Sequence, residues 1–450
     1  MKNLYKIAIM MIFIMSLSGC GNTDKDTTPP IIDIPVAETP AIDTPTENAT
    51  FVLRYASEDV NIREGKGIDS AIIKVIFRGE AVEVYGETDG WSKVKSGNLE
   101  GYVKASYLVK DKPVAYEERA LEILKTMSIE EKVGQMFFVR CRKDTAEADL
   151  EKYYLGGYIL FDEDLVGQTK DTIKAHIESY QKSSKIKLLI GIDEEGGIIN
   201  RLSKYTAFRK VPFHSPQALY DEGGYPLIIS DTKEKAALLK SLGININLAP
   251  VSDVSTDSAD YIYARTFGKN AQETAEYVKT VVETMNESKM GATLKHFPGY
   301  GNNVDTHTGI AMDERSYDSF VKSDFLPFQA GIDAGVGSIL VSHNIVKPMD
   351  ENLPASLSPK VHNILREELK FNGVIMTDDL KMDAIKKYIG DEASAVLAIQ
   401  AGNDLIIATN FDVQIPSVLL AIKNGTITEK RLDESLMRIL LWKLKLAIIS

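Results

Sequence analysis

The sequence predicts a (β/α)8 barrel preceded by a small all-β module, and three observations predict it. Eight short apolar runs recur between residues 134 and 408, and most of the intervals carry amphipathic helical sequence. A polar residue stands at or just past the end of nearly every run. Ahead of them, residues 52–110 hold short alternating segments punctuated by glycine.

The N-terminus comes first in chain order. Lys2 and Lys6 precede an apolar stretch from Ile7 to Leu17, and Ser18-Gly19-Cys20 follows. A basic start, a short apolar core and small residues before a cut site make a secretory signal over residues 1–19. The apolar core is too short to span a bilayer. Leu17-Ser18-Gly19-Cys20 resembles the bacterial lipobox. That resemblance implies cleavage before Cys20, a lipid on its sulfur, and an extracytoplasmic body tethered to the cell membrane. Residues 20–50, with Pro29, Pro30, Pro35, Pro40 and Pro45, are expected to be an extended spacer.

Residues 51–111 are expected to fold as the β module. Its strands are Val60–Arg63, Ala71–Phe77, Ala81–Tyr85, Trp91–Val94 and Gly101–Val103. Gly90-Trp91-Ser92-Lys93-Val94 and Gly101-Tyr102-Val103-Lys104-Ala105-Ser106-Tyr107-Leu108 resemble the bacterial SH3-like domain. The resemblance implies a binding module, often for cell wall or peptides. Trp91 is either a ligand platform or a core residue.

Residues 115–450 carry the βα rhythm. Glu118–Met127 and Ser128–Gln135 read as helices, the second opened by a capping box of Ser128 and Glu131. The runs expected as strands are Gly134–Val139, Gly157–Phe161, Leu188–Ile192, Ile244–Leu248, Ala292–His296, Ser338–Val341, Gly373–Met376 and Asp404–Ala408. Arg140, Asp162, Asp193, Asp253, Lys295-His296, His343, Asp378 and Asn410 mark their C-terminal ends. Chemistry on a whole ring of strand ends suits a barrel rim; an open doubly wound sheet, the rival, would use one crevice.

Bulk properties narrow the function. The chain has 450 residues, formal charge −12 and 26% charged residues, which argues against a nucleic-acid partner. With 2 cysteines a disulfide framework is excluded, and Cys141 after an apolar run reads as a structural thiol.

Leu294-Lys295-His296-Phe297-Pro298-Gly299 leads from an apolar strand into a glycine-rich loop that reaches Asp305-Thr306-His307. An Asp beside a His can hold one imidazole tautomer and make the ring a proton shuttle near neutral pH. Met376-Thr377-Asp378-Asp379 puts two carboxylates where a buried strand meets its loop. One can face a pocket while the other caps the next helix, and Asp378, nearer the strand, is assigned to the pocket. Glycoside cleavage needs a proton donor and a carboxylate on opposite sides of one bond, roles open to His307 and Asp378. Asp193, Arg265 and the Lys295-His296 pair suit directed hydrogen bonds to sugar hydroxyls.

Taken in order, these stretches resemble glycoside hydrolase family 3, in its β-N-acetylglucosaminidase branch. Met127–Met136, Gly191-Ile192-Asp193-Glu194-Glu195-Gly196-Gly197, Asn247–Val254, Arg265-Thr266-Phe267-Gly268, Lys295–Gly299, Asp305-Thr306-His307 and Thr377–Leu380 carry the resemblance. It implies a TIM barrel and a retaining mechanism with no metal or cofactor. Asp378 is the implied nucleophile, His307 the acid/base and Asp305 its support; Asp193, Arg265, Lys295 and His296 are the implied sugar contacts. The Asp-x-His dyad looks like the mark of this branch, whereas β-glucosidases of the family take their acid/base from a further domain. No such domain is expected after the eighth strand. The sequence departs from the family where Glu194 stands for Gln, Ile198 for Arg and Tyr300 for His, and where the loop to Asp305 is one residue shorter.

The expected activity is therefore that of an exo-acting β-N-acetylhexosaminidase on wall-derived glycans or muropeptides. The alternatives are a non-catalytic wall-binding lipoprotein, a β-glucosidase or β-xylosidase, and a phosphorylase.

Overall fold

The computed structural model describes residues 50–301, 311–382, 385 and 389–450. Within them lies an antiparallel sheet of seven strands, followed by a parallel barrel of eight.

The small sheet contains β1 (Val52–Ala56), β2 (Val60–Arg63), β3 (Ile72–Ile76), β4 (Ala81–Thr88), β5 (Trp91–Ser96), β6 (Leu99–Lys104) and β7 (Leu108–Val109). Its spatial order is β3-β2-β6-β5-β4-β1-β7. Alternation sends Val60, Ile62, Val82, Val94 and Val103 into a compact core with Ala56 and Ile76. The sequence reading missed β1 and β7, the pair that closes one edge. It also ended β4 at Tyr85, because Gly86 reads as a breaker. Instead the register shifts between Val84 and Gly86, a bulge that glycine tolerates within a continuing strand. Trp91 opens β5 and is half-buried.

The barrel strands are β8 (Phe137–Arg140), β9 (Gly157–Leu160), β10 (Leu189–Ile192), β13 (Ile246–Asn247), β14 (Gly291–Phe297), β16 (Ser338–Val341), β18 (Val374–Thr377) and β19 (Ile406–Ala408). A short hairpin, β11 (Glu194–Gly196) with β12 (Ile199–Asn200), follows β10. A two-residue pair, β15 (Met312–Asp313) with β17 (Ile345–Val346), flanks β16 in the chain. Sheet neighbours follow chain order from β8 to β18, and β19 pairs with β8. A parallel bridge between Met376 and Leu405, with Thr377 N–H donating to Leu405 O at 3.2 Å, closes the ring. This is the expected (β/α)8 architecture.

Five of the expected strands begin later than the apolar runs suggest, at Phe137, Leu189, Ile246, Val374 and Ile406, and the first and last show why. Gly134 and Gln135 end helix α2 (Ile129–Gln135), which follows α1 (Tyr116–Lys125). The capping box holds as read: Ser128 Oγ accepts from Glu131 N at 3.2 Å, and Glu131 Oε2 from Ser128 N at 2.9 Å. Gly134 is small because a Cβ there would lie 2.0 Å from Tyr153 O. Asp404 also precedes its strand. It is buried and accepts from Arg366, Arg438 and the Ile375 N–H, tying the base of the barrel together.

The small module sits at the base. Arg78 donates to Val114 O at 2.9 Å and lies over the Tyr116 ring. Glu58 pairs with Lys289, which precedes β14, and Asp59 pairs at 3.0 Å with Lys445, the end of the last helix (Glu429–Lys445). These contacts gather at the N-terminal ends of the barrel strands, away from the C-terminal rim. Among the described residues, no helix is long and apolar enough to cross a membrane.

Candidate active site

Side chains alternate along a barrel strand, and only one set points inward. In β14, Thr293 meets Ser338 of the neighbouring strand β16 at 2.8 Å, whereas Leu294 lies against Gly331 of the outer helix Phe325–Asp333. The register with β16 shifts between Leu294 and Phe297. That irregularity lets the consecutive residues Lys295 and His296 both enter polar networks at the rim.

Lys295 is buried, and its Nζ lies 2.6 Å from both Asp193 Oδ1 and Glu195 Oε1. Arg265, from the turn Tyr263–Arg265 beyond β13, grips Glu195 with two bonds of 3.0 and 2.7 Å. The same guanidinium reaches His296 Nε2 at 3.2 Å. His296 Nδ1 lies 2.8 Å from Asp253 Oδ2. The structure thus brings together Asp193, Arg265, Lys295 and His296, four residues singled out from sequence.

Electrostatics hold this cluster in one charge state. Burial drives the Glu195 carboxyl upward, but Lys295 and Arg265 outweigh it and hold it at about 2. Burial opposes the Lys295 charge, and Asp193 and Glu195 more than restore it, leaving its pKa raised. The Arg265 pKa is raised too: burial works against its charge, and the Glu195 carboxylate overrides it.

Two members of the network carried no assigned role in the sequence reading. Glu195 was visible only as part of an acidic triplet, and Asp253 only as a strand-end polar residue. The hairpin decides between the acids. Glu194 turns away, fully buried, and accepts from the Leu202 and Ser203 N–H groups at 2.7 and 3.1 Å. Burial raises its pKa. Of the other departures, Ile198 is 67% exposed, and Tyr300 is buried with its ring edge-on to His296.

At the end of β18, Asp378 is half-buried; its N–H donates to Val341 O at 3.1 Å and its Oδ1 accepts from Asp379 N at 2.8 Å. Asp379 is tied down differently. Its Oδ2 accepts from Arg140 Nε at 3.1 Å and Thr409 Oγ1 at 3.0 Å, and its Oδ1 from Lys381 N at 3.0 Å. His343 is buried, with Nε2 3.1 Å from Asp379 O, so it supports this turn. Asp305 and His307 lie outside the described residues, as does Cys20. Cys141 is buried, and that burial pushes its thiol up to about 12.

Replacing Glu195 removes the counter-charge between two cations. Because its pKa is depressed in the fold, its stabilisation is present above the ordinary carboxylate value of 4.5 and fades as pH falls toward 2. Glu195→Gln is expected to cost about 3 kcal/mol at pH 7, with the deficit shrinking below pH 4.5. Urea unfolding across a pH series measures both; a deficit that stays constant to pH 2 would contradict the assignment.

Comparisons with known proteins agree with this fold. Residues 128–441 match the glycosyl hydrolase family 3 N-terminal domain, and residues 58–109 match the bacterial SH3 domain. A β-hexosaminidase of Nitrosomonas eutropha is 31% identical over 274 residues, covering 59% of this chain and 77% of the relative. One from Methylobacillus flagellatus is 31% identical over 278 residues, covering 60% and 77%. Among solved structures, a family 3 β-N-acetylglucosaminidase from Paenibacillus sp. str. FPU-7 superposes with TM-score 0.67 at 28% identity over 72% of this chain. The chain spans only 63% of that longer protein. With the family model covering most of its length, this chain belongs to glycosyl hydrolase family 3, with a bacterial SH3 domain ahead of the barrel.

Proposed function

We propose that the chain is a retaining exo-β-N-acetylhexosaminidase that removes terminal β-N-acetylglucosamine from cell-wall-derived glycans. One observation carries the reading: a half-buried carboxylate, Asp378, ends β18 on the same rim as the fixed Asp193–Lys295–Glu195–Arg265 network. The family membership and the β-hexosaminidase relatives support the substrate class.

In this reading the network binds the non-reducing sugar. Asp193 and Arg265 offer an acceptor and donors to its hydroxyls, and Lys295 holds Asp193 in place. Asp378 attacks the anomeric carbon and forms a glycosyl ester. His307, supported by Asp305, gives its proton to the departing oxygen. The resulting imidazole then takes a proton from water, which attacks the same carbon and frees Asp378. Cys20 carries the lipid that keeps the enzyme on the outer face of the membrane, and the SH3 domain binds a wall component.

A chromogenic N-acetyl-β-glucosaminide, tested beside the matching glucoside, separates the possibilities. The wild type is expected to prefer the N-acetylglucosaminide, with no dependence on phosphate, and Asp378→Asn to lower kcat by about 10³-fold or more. No turnover of either substrate would favour a binding protein; acceleration by phosphate would make it a phosphorylase. For the anchor, Cys20→Ser is expected to move the protein from the membrane fraction to the soluble one. Retention on membranes would count against lipidation.

A further inference from the structure

Asp253 stands behind the sugar-facing residues, fully buried. Three bonds converge on its carboxylate: the His296 N–H at 3.1 Å and His296 Nδ1 at 2.8 Å on Oδ2, and the Tyr300 N–H at 2.7 Å on Oδ1. On the far edge of the imidazole, Arg265 Nη2 lies 3.2 Å from Nε2. A guanidinium has only donors, so Nε2 must accept and carries no proton. The ring proton then sits on Nδ1 and is given to Asp253, a carboxylate that only accepts. Both neighbours select one tautomer of one ring.

We infer that Asp253 is a positioning residue for the proposed hydrolase: by holding His296 as its Nδ1–H tautomer, it aims the Nε2 lone pair at Arg265 and so fixes the guanidinium that meets the sugar. The inference rests on the hexosaminidase reading for its consequence, but the tautomer rests on the hydrogen bonds alone. Arg265 is held along two edges, by Glu195 on one and His296 on the other. Were the proton on Nε2, two donors would face each other and the second hold would be lost. The same carboxylate also pins Tyr300, just ahead of the stretch that carries Asp305 and His307. One buried group thereby sets a sugar contact and anchors the chain leading to the acid/base.

The test uses the whole protein with 15N on its 6 histidines. Two-bond 1H–15N spectra at neutral pH report each ring's tautomer, and the signals lost in His296→Gln identify the residue. The wild type is expected to show a protonated Nδ1 and a bare Nε2. Asp253→Leu removes the acceptor from Nδ1 without offering the ring a donor. Part of the proton is then expected to appear on Nε2, with kcat/KM on the N-acetylglucosaminide falling at least about tenfold. In the His296→Gln background, which has no tautomer to lose, the same change is expected to cost under about threefold. A wild-type ring protonated on Nε2 or on both nitrogens overturns the inference, whether or not the variant folds. So does a Leu variant that loses activity with the proton still wholly on Nδ1, or equal losses in both backgrounds. If the wild type turned over no glycoside, the spectra would still read the tautomer, so the two failures look different.

Discussion

Glu195 is the constraint on which the rim is built. It is one carboxylate with two buried cations on it, Lys295 at 2.6 Å and Arg265 through two bonds. Neither cation is stable in that setting alone, because a buried unpaired charge costs several kcal/mol. With Glu195 present, both are held at fixed angles, and each has a remaining face for a further partner. Lys295 gives its face to Asp193, and Arg265 gives one of its own to His296. Asp253 closes the chain of partners. The result is a rim whose hydrogen-bonding directions are fixed by the protein itself, which is how a site offsets the entropy of orienting a flexible ligand.

The fold makes this arrangement possible by separating support from chemistry. The base of the barrel carries its own clamp around Asp404 and receives the SH3 domain through Glu58, Asp59 and Arg78. The rim carries Asp193, Arg265, Lys295 and Asp378, each on a different strand or the loop after it. The SH3 domain and the C-terminal rim therefore lie toward opposite ends of the same body.

Much of this was legible in the sequence, for identifiable reasons. The eight strands announced themselves as apolar runs because a parallel barrel strand is buried on both faces. The rim residues announced themselves because a polar side chain after such a run has nowhere else to go. Less legible was anything decided by a bulge or a tight hairpin. Gly86 reads as a strand end and is a bulge; Gly134 reads as a strand start and is a helix terminus against Tyr153. Asp193, Glu194 and Glu195 are alike in sequence. Only the β11–β12 hairpin turns Glu194 to the Leu202 and Ser203 amides and Glu195 to the cations. Asp253 was hidden for the same reason, since its partners come from β14 and the following loop, more than forty residues away in sequence.

The proposed retaining hydrolysis requires Asp378 to form a covalent bond to the sugar. An N-acetylglucosaminyl fluoride bearing a second fluorine at C5 would load such a carboxylate quickly and leave it slowly. Intact-protein mass spectrometry followed by peptide mapping then reads the outcome. One sugar equivalent per chain, carried by the peptide that contains Asp378, is expected. A chain that turns over the reagent without ever carrying it, or carries it on another carboxylate, would rule out Asp378 as the nucleophile.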